Sequence, residues 1–351
     1  MIASNQKVKL EKKQMLSRKV KHIDITKHDT RPLLKDMAKM SFSARDLARA
    51  SEIYNLMLKD KKSAVILSLS GSTSAAGCLL IYEDMIRYNM VDAIVATGAS
   101  IIDMDFFEAL GFSHYQGSSK EDDAKLRKLY IDRIYDTYID EEELQVCDLI
   151  IKEIADTLEK RPYSSQEFIW EIGRWMSDNP KRIKKKGSMI ELAYQNNVPI
   201  FCPAFSDCSA GFGLVAHQAE NPESHLTIDS VRDFYDLTKI KLDAGNTGVV
   251  YIGGGVPKNF TNDTVICAEI LGTEVPMHKY TIQLTVADER DGALSSSTLR
   301  EAHSWGKVGL NYEQMVFTEA SMSVPLLVGY AYHGGEWKKR KRRNYTKLLQ
   351  K

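Results

Sequence analysis

The stretch REAHSWGKVGL combines a carboxylate, an indole and a lysine at a spacing that suits a reactive amine. Glu301 lies four residues before Trp305, and Lys307 follows between a glycine and a valine. A lysine attacks carbon only after its ammonium has lost a proton, and a dry, tight setting favours that loss. The stretch therefore predicts a desolvated nucleophile at position 307. The alternative is a packed helix start followed by an exposed lysine.

Three loops consist of small residues that let backbone N–H groups approach a phosphate. They are residues 71–75 (GSTSA), 97–99 (TGA) and 253–255 (GGG), and each follows a β-branched run. None has the spacing G-x-G-x-x-G of the standard dinucleotide fingerprint. One such loop is more often a tight turn than a cofactor site, but three of them in one chain favour a nucleotide site.

Polar residues follow the same runs and are further candidates for a site. They are Asp103, Asp207, Asn259 and Asp288. A single aspartate in such a position most often caps a helix. Their value as candidates therefore depends on whether they meet at one edge of a sheet.

Five short apolar runs that end in small or polar residues predict the strands that would bring these candidates together. The runs are AVILSLS, VDAIVATGAS, VPIFCPAFSD, GVVYIGGGVPKN and HKYTIQLTVADERDG. The first two are followed by apolar, helix-like stretches, which predicts parallel strands joined by right-handed crossovers. We therefore predict an α/β fold with at least five parallel strands and a ligand site at their carboxyl ends.

The chain has no internal repeat or linker, and we predict a single catalytic domain over residues 21–335. A charged arm, residues 1–20, precedes it, and a basic tail, residues 336–351, follows it. Residues 116–195 are interpreted as helical excursions, that is, helices inserted between the predicted strands that do not form a second core. The tail contains KKRKRR and is interpreted as solvated and mobile, with a nucleic-acid contact or a nuclear address as the alternative.

Composition narrows the range of partners. Lys+Arg and Asp+Glu both number 47, so the net charge is zero and nucleic acid or membrane binding is not indicated. The charged N-terminus lacks the apolar run of a signal peptide or a membrane span, which indicates a cytoplasmic protein. The five cysteines have no close pair at metal-ligand spacing, so we expect reduced thiols and no metal site.

Several motifs together resemble the deoxyhypusine synthase family. SWGK (Ser304–Lys307) is followed by VFTEASMSVPLLVG (Val316–Gly329), which resembles the C-terminal signature of that family. The likeness extends through FSARDLARA, NMVDAIVATGA, VPIFCPAFSD and GGGVPKN. The resemblance implies one Rossmann-like domain, a parallel sheet flanked by helices. It also implies NAD as the cofactor and a homotetramer with its sites at a dimer interface.

The resemblance further implies a reaction. Spermidine is oxidised beside its secondary amine, the aminobutyl fragment passes to the SWGK lysine as an imine, and 1,3-diaminopropane leaves. The imine then moves to an acceptor amine and is reduced. In this scheme Lys307 is the nucleophile, Trp305 lies along the amine and holds an ammonium by a cation–π contact, and Glu301 pairs with an ammonium.

Family positions that bind the cofactor or the substrate carry over onto the loops described above. The cofactor positions are Ser72, Thr73, Ser74, Thr97, Gly98, Ala99, Asp207, Gly254, Ala287, Glu319 and Ala320. Asp103 and Asn259 are further substrate positions. Glu319 stands where the family usually has Asp, and Asp103 stands where it usually has Glu, so both differences keep the charge.

The polyamine half of the site departs from the family. Ile102, Phe212 and Leu294 stand where the family places acids, and Asn259 stands where it places a histidine thought to act as the base. An amide cannot accept a proton at neutral pH. We therefore expect an NAD-dependent aminobutyl transferase whose acceptor is a protein lysine or a small amine such as putrescine, the latter giving homospermidine. The alternative is a catalytically silent, NAD-binding oligomer.

Overall fold

Eleven strands are found in the computed structural model, which describes residues 2–290 and 297–350. They are β1 (Ala64–Leu69), β2 (Ala93–Ala96), β3 (Tyr115–Gln116), β4 (Ile131–Ile134), β5 (Thr137–Asp140), β6 (Pro162–Tyr163), β7 (Ile200–Phe201), β8 (Thr227–Ile228), β9 (Thr247–Ile252), β10 (His278–Thr285) and β11 (Val308–Phe317). Six of them form one parallel sheet in the order β11-β10-β9-β1-β2-β7. The predicted α/β fold is confirmed.

The five strands predicted from apolar runs all lie in this sheet, and β11 is the member that the runs did not reveal. Among the described strands it forms an edge of the sheet, next to β10. Several of its residues are exposed, so its sequence, VGLNYEQMVF, lacks the continuous apolar character of a buried parallel strand.

Helices cover both faces of the sheet. They are α1 (Ile2–Met15), α2 (Arg31–Met37), α3 (Phe42–Lys59), α4 (Leu79–Arg87), α5 (Phe107–Ala109), α6 (Asp123–Lys128), α7 (Glu141–Thr157), α8 (Ser165–Asp178), α9 (Met189–Asn196), α10 (Ser209–Glu220), α11 (Ser230–Ala244), α12 (Gly255–Asn262), α13 (Thr264–Ile270), α14 (Leu299–Ser304), α15 (Ala320–Gly334) and α16 (Tyr345–Leu349). Widened π-helical turns, Ser74–Cys78 and Ala99–Phe106, lead into α4 and α5. Across residues 2–290 and 297–350, none of these helices is long and apolar enough to span a bilayer.

The core lies on the two faces of the sheet because neighbouring strand residues point to opposite sides. In β1, Leu67 packs with Val250 in the larger hydrophobic cluster, and the preceding residue, Ile66, packs with Val249 in the smaller one. All six residues of β1 are buried. This two-sided burial holds the carboxyl ends of the strands in fixed positions, where the predicted site lies.

The interpretation of residues 116–195 as helical excursions without a second core was wrong in part: helices α6 to α9 lie there, but so do a small sheet and a separate cluster. Strands β3, β5 and β4 form an antiparallel sheet, and Leu126, Leu129, Ile131 and Tyr138 form a separate small cluster. The strands are only two to four residues long, and buried and partly exposed residues are mixed in them without strict alternation. Such short segments show too little periodicity to be distinguished from loops.

The interpretation of the C-terminal tail as mobile was also wrong. Trp337 stacks on Tyr332 with ring centroids 5.5 Å apart, and the Tyr345 side chain is buried. The guanidinium of Arg340 pairs with the buried carboxylate of Asp92. Asp92 lies 248 positions before Arg340, so a run of basic residues read alone gives no sign that it is docked.

Candidate active site

A cleft of about 360 Å³ lies at the carboxyl ends of β1, β2, β7 and β9. The sheet runs outward in opposite directions from β1 and β9, so the cleft lies at the topological switch point, where open α/β sheets bind ligands. Its lining residues come from the turns that follow these strands. They are Ser70, Gly71, Ala96, Thr97, Gly98, Pro203, Ala204, Asp207, Gly253, Gly254, Gly255, Val256 and Pro257.

The triple-glycine turn has a backbone that other residues rarely adopt. Gly253 and Gly255 have φ values of +74° and +66°, in the left-handed region. The Ser70 hydroxyl donates to the carbonyl of Gly254 at 2.5 Å, and the Gln283 amide donates to that of Gly253 at 3.0 Å. The turn is therefore held in one conformation by side chains from β10 and the end of β1.

The first two loops are also tied together. The hydroxyls of Thr97 and Ser100 lie 3.2 Å apart, and Ser100 donates to the carbonyl of Gly71 at 2.9 Å. A Cβ atom on Gly98 would lie 2.5 Å from the sulfur of Cys208, so this position admits only glycine without rearrangement. Thr97, Gly98, Asp207 and Gly254 are the predicted cofactor positions that line the cleft.

Other predicted cofactor positions in these loops lie beside the cleft. The hydroxyls of Thr73 and Tyr82 lie 2.6 Å apart, and Ser74 is fully buried. Their side chains point into the protein, so only a backbone contact with a ligand is open to these two residues. Ser72 and Ala99 are partly exposed and directly follow the lining residues Gly71 and Gly98.

Ala287, Glu319 and Ala320 lie beyond the carboxyl ends of β10 and β11, at the same edge as the cleft but outside its lining. Glu319 caps α15, because its carboxylate accepts from the backbone N–H groups of Ser321 and Met322 at 2.9 and 3.1 Å. The pKa of Glu319 is lowered, since these hydrogen bonds outweigh the effect of burial.

Asp103 is placed at the start of α10, where its carboxylate accepts from the backbone N–H of Ser209 at 2.8 Å. The pKa of Asp103 is raised to about 6, mainly by burial and to a smaller extent by the nearby carboxylates of Asp148 and Asp207, which together outweigh the lowering by the hydrogen bonds with Ser209. A cation bound here would stabilise the ionised form of Asp103. The position therefore suits an ammonium ligand.

Lys307 lies at the amino ends of the strands, whereas the cleft lies at their carboxyl ends. It immediately precedes β11, and its carbonyl accepts from the backbone N–H of His278 at the start of β10. Since β11 has ten residues and a strand rises about 3.3 Å per residue, Lys307 and Glu319 of the same chain are about 30 Å apart. One chain therefore does not bring the lysine to all of the predicted cofactor positions.

Among the described residues, the lysine has one charged and one aromatic neighbour. Its Nζ contacts the carboxylate of Asp263 and lies 5.2 Å from the ring centroid of Trp305. The Lys307 side chain is only 17 % exposed, which agrees with a sheltered amine, whereas Trp305 is 66 % exposed. The carboxylate beside the lysine was not expected from the sequence.

Glu301 has a structural role in the same segment. Thr298 and Glu301 form a capping box at the start of α14, with hydrogen bonds of 3.0 and 2.6 Å. These bonds lower the pKa of Glu301. The helix start that the sequence offered as an alternative is thus present. The Glu301 carboxylate takes part in it and is still exposed.

An exposed face of α12 connects the cleft with Lys307. Val256 lines the cleft, and Asn259 and Asp263 follow it at spacings of three and four residues, which places all three on one side of the helix. At about 1.5 Å per residue, this face runs about 10 Å from Val256 to Asp263. We call Val256, Asn259 and Asp263 the α12 face; it is an exposed surface between the cleft and the carboxylate that contacts Lys307.

The residues that replace the family's acids lie in different environments. Ile102 is fully buried in the hydrophobic core and does not face the cleft. Phe212 is 70 % exposed on α10, close to Asp207 in the sequence. Leu294 lies outside the described residues, as does Asp291, so the structure places neither of them.

Sequence reasoning missed two residues of this region, Asp263 and Lys258. The Lys258 side chain is fully buried and donates to Gln283 at 2.7 Å and to the carbonyl of Ser297, joining α12 to the segment before α14. Burial lowers the pKa of Lys258 to about 8, and Glu301 acts in the opposite direction. For Asp263, the available signal was its spacing of four residues from Asn259 on one helix.

The buried amine of Lys258 predicts a pH-dependent stability. Its pKa is about 8 in the folded chain and 10.5 in the reference state, so the unfolded chain binds more protons between these values. The unfolding free energy of the wild type should therefore rise, relative to that of Lys258→Met, by roughly 3 kcal/mol from pH 8 to pH 10.5. Urea unfolding of both proteins at several pH values measures this difference. A constant difference would show that Lys258 stays charged.

The fold and the cleft define the class: a doubly wound α/β protein with a ligand cleft at its switch point. The family model described as deoxyhypusine synthase matches residues 32–331. A Coxiella burnetii protein named deoxyhypusine synthase-like is 62% identical over 338 residues, covering 96% of each chain. Probable deoxyhypusine synthase 2 of Methanosarcina mazei is 39% identical over 312 residues, covering 89% of this chain and 88% of the relative.

The chain therefore belongs to the deoxyhypusine synthase family. The solved structure of a candidate deoxyhypusine synthase from Entamoeba histolytica matches with a TM-score of 0.58 and 20% identity, covering 90% of this chain and 97% of the other. At that identity the likeness supports the fold alone. The family resemblance inferred from the SWGK and GGGVPKN motifs is thus confirmed.

Proposed function

We propose that the protein is an NAD-dependent transferase that moves an aminobutyl group from spermidine or a related polyamine to an acceptor amine through an imine on Lys307. The observation that carries the proposal is the sheltered Lys307 amine beside the face of Trp305, at 5.2 Å, in a member of this family. An indole held beside a reactive lysine provides both an apolar wall for a methylene chain and a cation–π contact for an ammonium.

The cleft fits the proposed cofactor. A Cβ atom on Gly71 would have no neighbour within 4 Å, so the backbone there is open to a ligand, and the triple-glycine turn presents the start of α12. NAD bound there would supply hydride transfer from, and back to, the carbon that carries the amine. Thr97, Gly98, Asp207 and Gly254 would hold it.

We assign to Asp263 the proton that Lys307 must lose. The Asp263 carboxylate touches the ammonium, whereas the amide of Asn259 cannot take a proton. The neutral amine would then attack the oxidised carbon of the donor, a C–N bond would form on Lys307, and the diamine fragment would leave. Attack by the acceptor amine would release Lys307, which recovers its proton from Asp263.

The substrate follows from the acids that remain near the lysine and the cleft. Asp263 contacts Lys307, Glu301 lies six residues before Lys307 in the chain, and Asp103 lies close to Asp207, which lines the cleft. A buried ammonium without a partner is costly, so a site with fewer acids should favour an amine with fewer buried charges. We therefore expect the best donor to bury fewer charges than spermidine does, or to leave one end in water, and we propose a small amine such as putrescine as the acceptor.

The separation of the site's two halves supports a site built from more than one copy of the chain. Lys307 and the predicted positions Glu319 and Ala320 lie at opposite edges of the sheet, about 30 Å apart by strand length. The side chains of Trp305 and Val256 are both exposed, so the outer side of the α12 face is accessible in the single chain. We infer that a partner subunit closes this surface, within the homotetramer typical of the family.

The function is tested by incubating the protein with NAD and a panel of donors and acceptors, with products read by mass spectrometry. Spermidine, homospermidine, putrescine and agmatine serve as donors, and putrescine and the hypusine precursor protein serve as acceptors. We expect homospermidine from spermidine and putrescine, and none without NAD. If the precursor protein is the best acceptor, the small-amine assignment is wrong. If no pair gives product although NAD binds, the silent oligomer is the correct interpretation.

Cofactor binding gives a second measurable prediction. Gly254→Val places a branched side chain in the cleft and should weaken NAD binding at least tenfold, which corresponds to about 1.4 kcal/mol. Gly309→Val is the control, because its Cβ would lie 3.4 Å from the nearest atom and β11 is remote from the cleft. Calorimetric titration with NAD measures both. Equal affinities in the two variants would place the cofactor elsewhere.

A further inference from the structure

The basic C-terminal segment, which the proposed transfer reaction does not use, is folded back against the body of the protein. The backbone carbonyl of Arg340 accepts from the side-chain amide of Asn89 at 3.0 Å. Farther along, the backbone N–H of Thr346 donates to the carbonyl of Asn197 at 3.2 Å. The run of lysines and arginines is thereby held at one place on the surface.

A second cavity of about 290 Å³ lies where this run meets the turn between α3 and β1. It is lined by Asp60, Lys61 and Ser63 on one side and by residues 339–343 on the other. The turn precedes β1, so the cavity lies at the amino edge of the sheet, away from the nucleotide cleft. We call it the basic cavity.

Some charges around the basic cavity are already neutralised. Asp60 pairs with Lys279 at 2.7 Å, and Lys339 pairs with Glu336 at 3.2 Å. Arg340 pairs with Asp92, beneath the cavity. These contacts hold the walls of the cavity in place.

Four basic residues of the lining remain without a carboxylate. Over residues 2–290 and 297–350, Lys61, Lys341, Arg342 and Arg343 form no salt bridge. The guanidinium of Arg342 donates to two backbone carbonyls, and burial lowers its pKa. Arg343 donates to the carbonyl of Lys61 at 3.2 Å. Like charges gathered in a concave site repel one another until an anion binds.

Arg340 provides an independent indication of a ligand. Its side chain is 5% exposed, and its Nε and Nη1 donors have no hydrogen-bond partner among the described residues. Buried donors in native proteins are almost always paired. Arg340 lines the basic cavity, so an anion bound there would lie beside a residue whose guanidinium has only part of its donors paired.

We propose that the basic cavity binds a small phosphate-bearing anion with at least two negative charges. Four unneutralised basic groups match such a charge, and a cavity of about 290 Å³ encloses a small phosphorylated molecule rather than a helix or a nucleic-acid duplex. Arginine forks and lysine ammonium groups are the side chains that bind phosphate most often. The site is separate from the transfer reaction and does not depend on it.

The test is calorimetric titration of the full chain with inorganic pyrophosphate, together with the double variant Lys61→Glu/Lys341→Glu. Both lysines are exposed and lie in the cavity wall, so the fold should tolerate the change. The matched control is Lys338→Glu/Lys347→Glu, which alters net charge equally in the same segment outside the lining. We expect wild-type binding to weaken at least tenfold in the first variant and less than threefold in the control.

Three results would overturn the proposal. The first is no pyrophosphate binding to the wild type, and the second is an equal loss of affinity in both double variants, which would show unspecific attraction. The third is binding of a single-stranded RNA, but not of pyrophosphate, that the cavity variant abolishes; the surface would then bind a macromolecule. A thermal shift measured with pyrophosphate checks that binding favours the folded state.

Discussion

Lys307→Ala should abolish both turnover and the adduct that borohydride traps on the protein. A reducible imine forms only on a primary amine, and in the described site the Lys307 amine is the one that lies beside Trp305. We expect a loss of at least a thousandfold in product formation with NAD and spermidine. Lys307→Arg should be as inactive, because a guanidinium stays protonated. Mass spectrometry of the reduced protein locates the adduct.

Lys279 provides a matched control for this experiment. It also lies at the amino edge of the sheet, one strand away, and it also pairs with an aspartate, Asp60, at 2.7 Å. Lys279→Ala should therefore keep the adduct and most of the activity. An adduct that survives in both Lys307 variants would remove Lys307 from the mechanism, and one lost equally in Lys279→Ala would indicate damage to the fold.

Arg340→Met should lower the free energy of unfolding by roughly 3–5 kcal/mol, because it leaves the carboxylate of Asp92 buried without its charged partner. The side chains of Arg340 and Asp92 are 5% and 1% exposed, so water does not replace the lost contact. Asp92 would keep one hydrogen bond, from the backbone N–H of Val65 at 2.8 Å. Urea unfolding measures the change.

Two further variants separate this buried pair from a general effect of charge. Lys339→Met removes the neighbouring exposed pair with Glu336 and should change stability by less than about 1 kcal/mol. The double variant Arg340→Met/Asp92→Asn should recover part of the loss, since no unpaired charge remains. If Arg340→Met were as mild as Lys339→Met, the C-terminal segment would not be docked in solution.

Much of the fold follows from local patterns in the chain. The runs that became β1, β2, β7, β9 and β10 are apolar because both faces of a parallel strand are buried. The small residues after them were expected at ligand-binding turns, and those after β1, β2 and β9 line the cleft. Strand β11 was missed because an edge strand exposes part of its length, and local patterns record burial rather than pairing.

The candidate site was less predictable because its parts come from distant segments. The SWGK and GGGVPKN motifs indicated the family, which similarity over residues 32–331 confirmed. They did not indicate that Lys307 would contact Asp263, a residue 44 positions earlier. Nor did they indicate that Ile102, at a family acid position, would lie in the core.

The sequence by itself determined the family, the parallel α/β sheet and the residue types of the two halves of the site, since these depend on local order and periodicity. Only the tertiary structure decided that the two halves lie at opposite edges of the sheet, because the length of β11 separates Lys307 from Glu319. It likewise decided that the basic tail is docked. A buried ion pair such as Arg340–Asp92 joins residues 248 positions apart, and no local pattern specifies which distant carboxylate will neutralise a given arginine.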